Sequence, residues 1–575
     1  MRMSRLMSHT RREAPSESDQ VSYQLLVRAG FIQPLAGGIF GLLPLGERTV
    51  QNMVSFARRE LNALEAQEIN LPLVQPAELW HGYGLPVSRM CEPGGSEMVL
   101  ASYYEPALLE LVRAQVKSYR QLPLLLYHQA ALWRGTAPGR VGLLRGRYVH
   151  AIEAFSLHSD ARALEIFYEK LNASFERFFA VCGIPVLRAA SNPGPLGGTT
   201  AHEWLYLARG GDTTVLRCPR CGYTATQEAA DFRRQAAPAE ALLPLEKVAT
   251  PHCATIESLA DFLKVPTSRT AKAVFLVARR YQAESAPQED LIFAVVRGDR
   301  SVNEAALLRL VGAQELRPAE VAEISAAGAA AGYASPVGLV GVRVIVDEQI
   351  LVSPNLVSGA NEAGYHLLNV NYGRDYQAAL VAKLALAQAG DLCPVCADSQ
   401  LESVEGYVLG QALQPDVAFT ARRGIQFTGE DGQAQPVQLA SYHIELSRLL
   451  ACLAEAHNDE HGLRWPAAIA PYPVHLVILD GRKSDEPQAA GRELAARLAA
   501  EGFEPLVDDR SDSPGVKFMD ADLIGLPVRL TVSERSLRQG GVEIKLRRHS
   551  EGETVGLDQV VAYVRDYLGR EGLPV

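Results

Sequence analysis

Four cysteines stand as two Cys-x-x-Cys pairs: Cys218 with Cys221 in RCPRCGY, and Cys393 with Cys396 in DLCPVCADS. Two thiolates on one tight turn make half of a tetrahedral zinc site, and two such turns make a whole one. Its role would be structural, because four thiolates leave no open coordination position. Yet Cys221 and Cys393 are 172 residues apart. That separation makes sense if a large segment was inserted between two stretches that stay neighbours in space. The alternative is a set of reduced, buried cysteines; the spacing favours metal.

Periodicity outlines the elements that would position these turns. Apolar residues recur at helical spacing in VSYQLLVRA and in RTVQNMVSFARRELNAL, with a turn-rich piece, LAGGIFGLLPLG, between them. EINLPLVQPAELW reads as a short strand broken by Pro72 and then a helix. QLPLLLYHQAALWR and RYVHAIEAFSLHS read as strands joined by a basic, glycine-rich loop, and ALEIFYEKLNASFERFFAVCG as an amphipathic helix. After the first cysteine pair, AAPAEALLPLEKVATPHCA has the composition of a linker. Residues 246–382 then read as an α+β module lying between the two pairs, with strands in KAVFLVAR, LIFAVVRG and VRVIVDEQIL. From residue 471 to 575, strand and helix alternate, which predicts a mixed sheet with right-handed crossovers.

The chain has 575 residues, and that length suggests about four domains. With 47% hydrophobic and 21% charged residues the composition is that of a globular protein. A net charge of -10 excludes a generally basic nucleic-acid binder, so any contact with a polyanion must use local patches. No run of 18 apolar residues predicts a membrane span. The opening MRMSRLMSHTRREAPSESD lacks the apolar stretch of a secretory signal. Eight cysteines without such a signal suggest a reducing, cytoplasmic setting.

Several stretches together resemble the bacterial-type prolyl-tRNA synthetases. LPLVQPAELW is similar to the family's motif 1, where the Pro72 position implies a dimer interface. LGGTTAHEW resembles its Gly-Gly-x-x-Ser-His-Glu-Phe segment, with His202 and Glu203 at the last polar positions. VATPHCATIESLADFL, VVRGDRSVNEAAL, GYASPVGL and SGANEAGYHLLNVNYGRD resemble the inserted editing domain, and GLRWPAAIAPYPVHLV with LVDDRSDSPGVKFMDADLIGLP the anticodon-binding domain. The likeness runs from about Arg5 to Leu568. It implies a multidomain protein of α/β and α+β parts: a class II antiparallel-sheet core in two pieces (1–230 and 383–470), an inserted editing domain (246–382) and a C-terminal α/β domain (471–575). The insertion would explain the distance between the cysteine pairs.

The resemblance also implies a chemistry. ATP, with Mg²⁺, would activate proline, which would then pass to tRNA(Pro). Developing charge on a triphosphate needs fixed cations. Arg134 in LWRGT matches the family's clamp on the α-phosphate, Arg448 in ELSRLL the clamp on the γ-phosphate, and Arg145 stands at the end of the motif 2 loop. Glu105 lies near the expected proline pocket. Lys272, Asp347, the loop Gly332 to Pro336, and His366 match residues framing a pocket that hydrolyses Ala-tRNA. Such editing is needed because a proline pocket rejects the smaller alanine by modest factors only. For reading the anticodon the expectation falls on Asp509, Arg510, Lys517 and Phe518.

The departures are as informative. The family's Arg-x-Glu is Arg134-Gly135-Thr136 here, and the adenine-stacking phenylalanine corresponds to Val149. Thr-x-Glu reads Tyr103-Tyr104-Glu105, and Gly-His before motif 3 reads Gly410-Gln411. His443 and Glu445 replace two motif 3 glycines. A carboxylate there would repel a triphosphate or must be neutralised by a neighbour. The residues therefore leave three readings open: a proline ligase with editing, a paralogue that only edits in trans, or a non-catalytic tRNA-binding protein.

Overall fold

The computed structural model describes residues 1–81, 83, 87–135, 142–198, 200–234, 240–280, 287–479 and 485–570. A nine-stranded sheet lies at the centre. Its middle is antiparallel, in the spatial order Glu402–Gln414, Gln438–Glu445, Tyr148–His158, Leu124–Trp133. Helices Pro44–Asn62, Ala161–Cys182 and Leu446–Ala456 cover one face in a large apolar core. The second face is covered in part by the helix Glu105–Gln115. Apolar matter on both sides explains why YVHAIEAFSLH is buried at nearly every position: Ile152 and Ala154 face one core, Val149, Ala151 and Phe155 the other.

On the second face one row is polar. Register sets Glu203 opposite Gln411, Gln411 opposite His443, His443 opposite Glu153, and Glu153 opposite His128. Period-two alternation places Glu445 on the same face as His443.

Two local expectations change. LAGGIFGLLPLG is a hairpin of Ile32–Ala36 and Ile39–Leu42, with Gly37-Gly38 forming its turn. After the strand Val74–Pro76, the expected helix is a single 3₁₀ turn, Ala77–Trp80, whose buried Trp80 ends it by packing into the core.

The strand before the first cysteine pair, Thr213–Arg217, pairs with the strand after the second, Arg217 lying opposite Glu402. The chain therefore leaves and re-enters the core at one place. Between lie a five-stranded sheet, containing Ala271–Arg280 and Gln288–Arg297 at its centre, and a three-stranded one of Glu246–Ala249, Tyr365–Val370 and Leu356–Gly359. The C-terminal sheet runs Pro505–Asp508, Val474–Ile478, Val528–Val532, Gly541–Leu546, Glu553–Gly556, with the first three strands parallel. The chain's first residues lie along its edge: Val507 N–H donates to the Met1 carbonyl at 2.8 Å.

Candidate active site

The pairing of Arg217 with Glu402 brings both cysteine turns together. The sulfurs of Cys218 and Cys396 are 3.6 Å apart, as are those of Cys221 and Cys393, and all four lie within 4.8 Å of one another. Zinc–sulfur bonds of about 2.3 Å give a tetrahedron with edges of about 3.8 Å, whereas a disulfide needs about 2.05 Å. The four free thiols therefore have the dimensions of a Cys₄ metal site. The backbone N–H of Cys221, aimed at the Cys218 sulfur, draws that thiol below its ordinary range, toward the thiolate a metal needs. Beside it a buried, bidentate pair, Arg300 with Asp391 at 2.7 and 2.8 Å, ties the inserted segment to the second cysteine turn.

A cavity of about 290 Å³ opens over the polar row of the central sheet, lined among others by Tyr103, Glu105, Arg134, Glu153, Gln411 and His443. Burial, then the neighbouring Glu153, pushes the Glu105 carboxyl up to about 7. Glu203, at the end of the row beside Gln411, is also pushed up to about 7, by burial first and then by Glu228 and Asp212. His443 Nδ1 lies 3.3 Å from Glu153. His202 is not brought here: alternation turns it to the opposite face, where Nδ1 meets the Tyr168 hydroxyl at 3.0 Å. Val149 is fully buried in the core on the cavity's side of the sheet, and the aromatic side chains that line the cavity are Tyr103, Trp133, Phe155 and Tyr442. Tyr104 is buried, its hydroxyl donating to the Ala131 carbonyl at 2.6 Å, while Tyr103 remains 42% exposed at the cavity wall. Thr136 lies outside the described residues.

The expected repulsion by Glu445 is resolved by its neighbours. Arg134 Nη2 donates to Glu445 Oε2 at 2.6 Å, and Arg448 Nε stands 3.6 Å from Oε1. Arg448 and Arg145 both reach Asp212, at 3.4 and 3.5 Å. The two expected phosphate clamps and Arg145 are thus one network with two carboxylates. Burial pushes the Glu445 carboxyl up, but Arg134 and Arg448 outweigh it, and it stays below the ordinary carboxylate range. Sequence reasoning missed Asp212 altogether. It lies in the hairpin turn RGGDTT, and nothing in that stretch signals a partner across the sheet.

A second cavity, of about 440 Å³, lies in the inserted module and is lined among others by Lys272, Gly332 and His366. Thr250 Oγ1 sits 2.6 Å from His366 Nδ1 and fixes the ring. Burial lowers the imidazole to about 4, so it is neutral near pH 7. Lys272 has no ion-pair partner among the described residues. Gly332 has φ +79°, and a Cβ there would meet that of Ala254 at 2.9 Å; a Cβ on Gly359 would strike the Tyr333 carbonyl at 2.1 Å. These two glycines let the loop to Pro336 lie against the sheet. Asn361, which the sequence reading passed over, pins that loop: its side chain accepts from Ser335 N–H at 2.8 Å and donates to the Val337 carbonyl at 3.0 Å. Asp347 is not in the cavity. Fully buried, it accepts from the backbone N–H groups of Gln349, Leu384 and Ala385 at 2.8–2.9 Å, a structural clasp that closes the module.

Residues 250–376 match the family model of the aminoacyl-tRNA editing domain, and residues 474–567 that of the anticodon binding domain. The chain is 41% identical over 572 residues to the proline–tRNA ligase of Salinispora tropica, covering 98% of this chain and 95% of that one. It is 37% identical to the proline–tRNA ligase of Dehalococcoides mccartyi over 572 residues, with 98% of both chains covered. It is likewise 37% identical to that of Heliobacterium modesticaldum over 575 residues, again with 98% of both covered. The chain belongs to the proline–tRNA ligase family.

In this member of the proline–tRNA ligase family, the residues expected to read an anticodon have mostly found partners within the protein. Lys517 is fully buried, its ammonium donating to the Ile478 carbonyl at 2.6 Å, so it supports the sheet and does not reach a phosphate. Asp509 accepts from Ser4 Oγ at 2.8 Å and Ser4 N–H at 3.1 Å, fastening the chain's first residues. Arg510 lies among Asp508, Asp520 and Asp512 at 2.7, 2.9 and 3.3 Å. Phe518 is half-buried under the Arg529 guanidinium, 4.6 Å from its ring centre. Of the four, Phe518 is the one whose side chain is not tied by a hydrogen bond or ion pair, and it keeps part of its surface exposed.

Proposed function

We propose that this ligase-family protein joins proline to tRNA(Pro) at the expense of ATP, with Mg²⁺ on the triphosphate, and hydrolyses Ala-tRNA(Pro) in the inserted module. The observation that carries the reading is the joining of Arg134, Arg145 and Arg448 in one network through Glu445 and Asp212, with Arg134 lining the polar cavity, in a chain that covers nearly the whole length of proline–tRNA ligases. Arginine forks suit phosphate oxygens, but here each must first release a carboxylate. Glu445 and Asp212 hold the places that phosphate oxygens would take, so ATP binding is an exchange of anions on the same guanidinium groups. Glu105 offers a carboxylate for the ammonium of proline and loses its proton near neutral pH to do so. In the second cavity a neutral His366 and the loop Gly332 to Pro336 orient the ester, and Lys272 stands ready for the RNA's negative charge.

Cys218, Cys221, Cys393 and Cys396 would hold a structural zinc that clamps the base of the insertion. A homodimer through the Pro72 segment and a cytoplasmic setting complete the reading. Among the described residues no helix is long and apolar enough to cross a membrane.

Proline-dependent ATP–pyrophosphate exchange tests the first activity and release of alanine from Ala-tRNA(Pro) the second. Exchange is expected to be slow beside that of relatives with glycine at the Glu445 position, because the arginines must exchange partners. Absent exchange with retained deacylation would turn the reading into an editing protein acting in trans; loss of both would sink it. Metal analysis should find about one zinc per chain by the Cys₄ rule.

A further inference from the structure

Between the core and the inserted module lies a third cavity, of about 660 Å³. Three arginines line it: Arg309 from the helix Glu304–Val311 of the insertion, and Arg422 and Arg423 from the end of the helix Val417–Arg422 of the core. No Asp or Glu lines it among the described residues, in a protein whose net charge is -10. Arg309 and Arg422 are exposed and without an ion-pair partner among the described residues. Arg423 is held flat, its guanidinium 4.0 Å from the Tyr83 ring centre and 4.3 Å from that of Phe419. The carbonyls at the end of the insertion's helix are already bonded, Gly312 N–H to Arg309 and Ala313 N–H to Leu308, so they add little negative field.

On the core side the cleft follows directly, in chain order, on the wall of the first cavity. Leu413 lines the first cavity, and Phe419, on the helix that follows, lines the cleft. At the other end Gln314 lines the cleft and leads into the strand Glu315–Pro318, which pairs with the strand Ala271–Arg280 at the end away from Lys272, Glu315 lying opposite Arg279. Cations without counter-ions, a stacked guanidinium and aromatic rings are what single-stranded RNA needs for its phosphates and bases.

Resting on the reading above, we infer that this cleft binds the single-stranded 3′ end of the tRNA, with Arg309 and Arg422 on its phosphates and Arg423 presenting a flat face to a base. The probes are full-length protein with a tRNA(Pro) transcript, and the same transcript lacking its last four nucleotides. The intact protein should bind the complete transcript about tenfold more tightly than the truncated one. Arg309→Glu with Arg422→Glu should erase that difference. The salt dependence for the complete transcript should then flatten by about 1.4 in log–log slope, at about 0.7 per single-strand phosphate. Lysine at both positions should restore the slope. An unchanged difference in the glutamate variant, an equal loss on both transcripts, or failure of lysine to restore the slope would each overturn the inference. Thermal melting checks the fold of the variants. Absent pyrophosphate exchange in the unmodified protein would sink the ligase reading and leave this binding test standing.

Discussion

The cavity over the central sheet and the cavity in the inserted module hold their charges in opposite ways. Over the central sheet every expected clamp arginine is paired with a carboxylate of the same chain, and Glu445 and Arg448 are deeply buried. In the inserted module the lysine is unpaired among the described residues and the histidine is neutral. On the function proposed above, the first cavity must change partners to take its substrate, whereas the second is set before the substrate arrives. Electrostatics in the first is therefore bound up with stability, and in the second it is nearly separate from it.

Removing Arg448 should expose this difference most. Arg448→Met takes away a phosphate clamp, so exchange should fall about a hundred- to a thousandfold. It also leaves Glu445 poorly paired in the interior, which should cost about 3 kcal/mol in denaturant unfolding. Lys272→Ala, by contrast, should slow deacylation and leave unfolding unchanged; a large loss of stability there would break the contrast.

In the second cavity, His366→Ala removes a ring and orphans the Thr250 hydroxyl. Deacylation should drop about thirtyfold, equivalent to about 2 kcal/mol. Full activity in that variant would remove the histidine from the mechanism.

Glu445→Gln should free Arg134 and Arg448 for phosphate and tighten ATP about tenfold, one charge-assisted bond being worth about 1.4 kcal/mol here. Weaker ATP binding would mean that Glu445 positions the arginines and does not compete for them.

A further effect, spread over more than two pH units, is in the pH dependence of stability. Glu105 titrates at about 7 in the fold against an ordinary 4.5, so the native state keeps a proton that the unfolded chain has released between those values. Stability should therefore fall as pH rises from about 4.5 to 7, by up to about 3 kcal/mol, and Glu105→Gln should flatten that slope. The His366 imidazole, at about 4, stays neutral from pH 6 to 8, and deacylation should be level there apart from the chemistry of the ester. A deacylation profile with an inflection near 6.5 would show a histidine that titrates as in water.

Much of this protein was legible in its residues. Two cysteine pairs at the ends of an insertion predicted a meeting that the pairing of Arg217 with Glu402 brings about. The motif arginines, the editing loop and the lysine and histidine beside it were named through the family resemblance, which short contiguous stretches of a few residues carry. Sequence also showed that Glu445 was a charge in the wrong place. Only the tertiary structure decided what neutralises it, because Arg134 is 311 residues away and meets it across strands that the sheet aligns. The same reason governs the misplaced residues. Asp347 became a buried clasp because backbone amides of residues 384 and 385 arrive beside it. Asp509 was taken by Ser4 from the other end of the chain, and Lys517 by a carbonyl of the neighbouring strand. A sequence states which side chains are charged; the counter-ion of each depends on long-range pairing, and with it whether that charge serves the fold or the substrate.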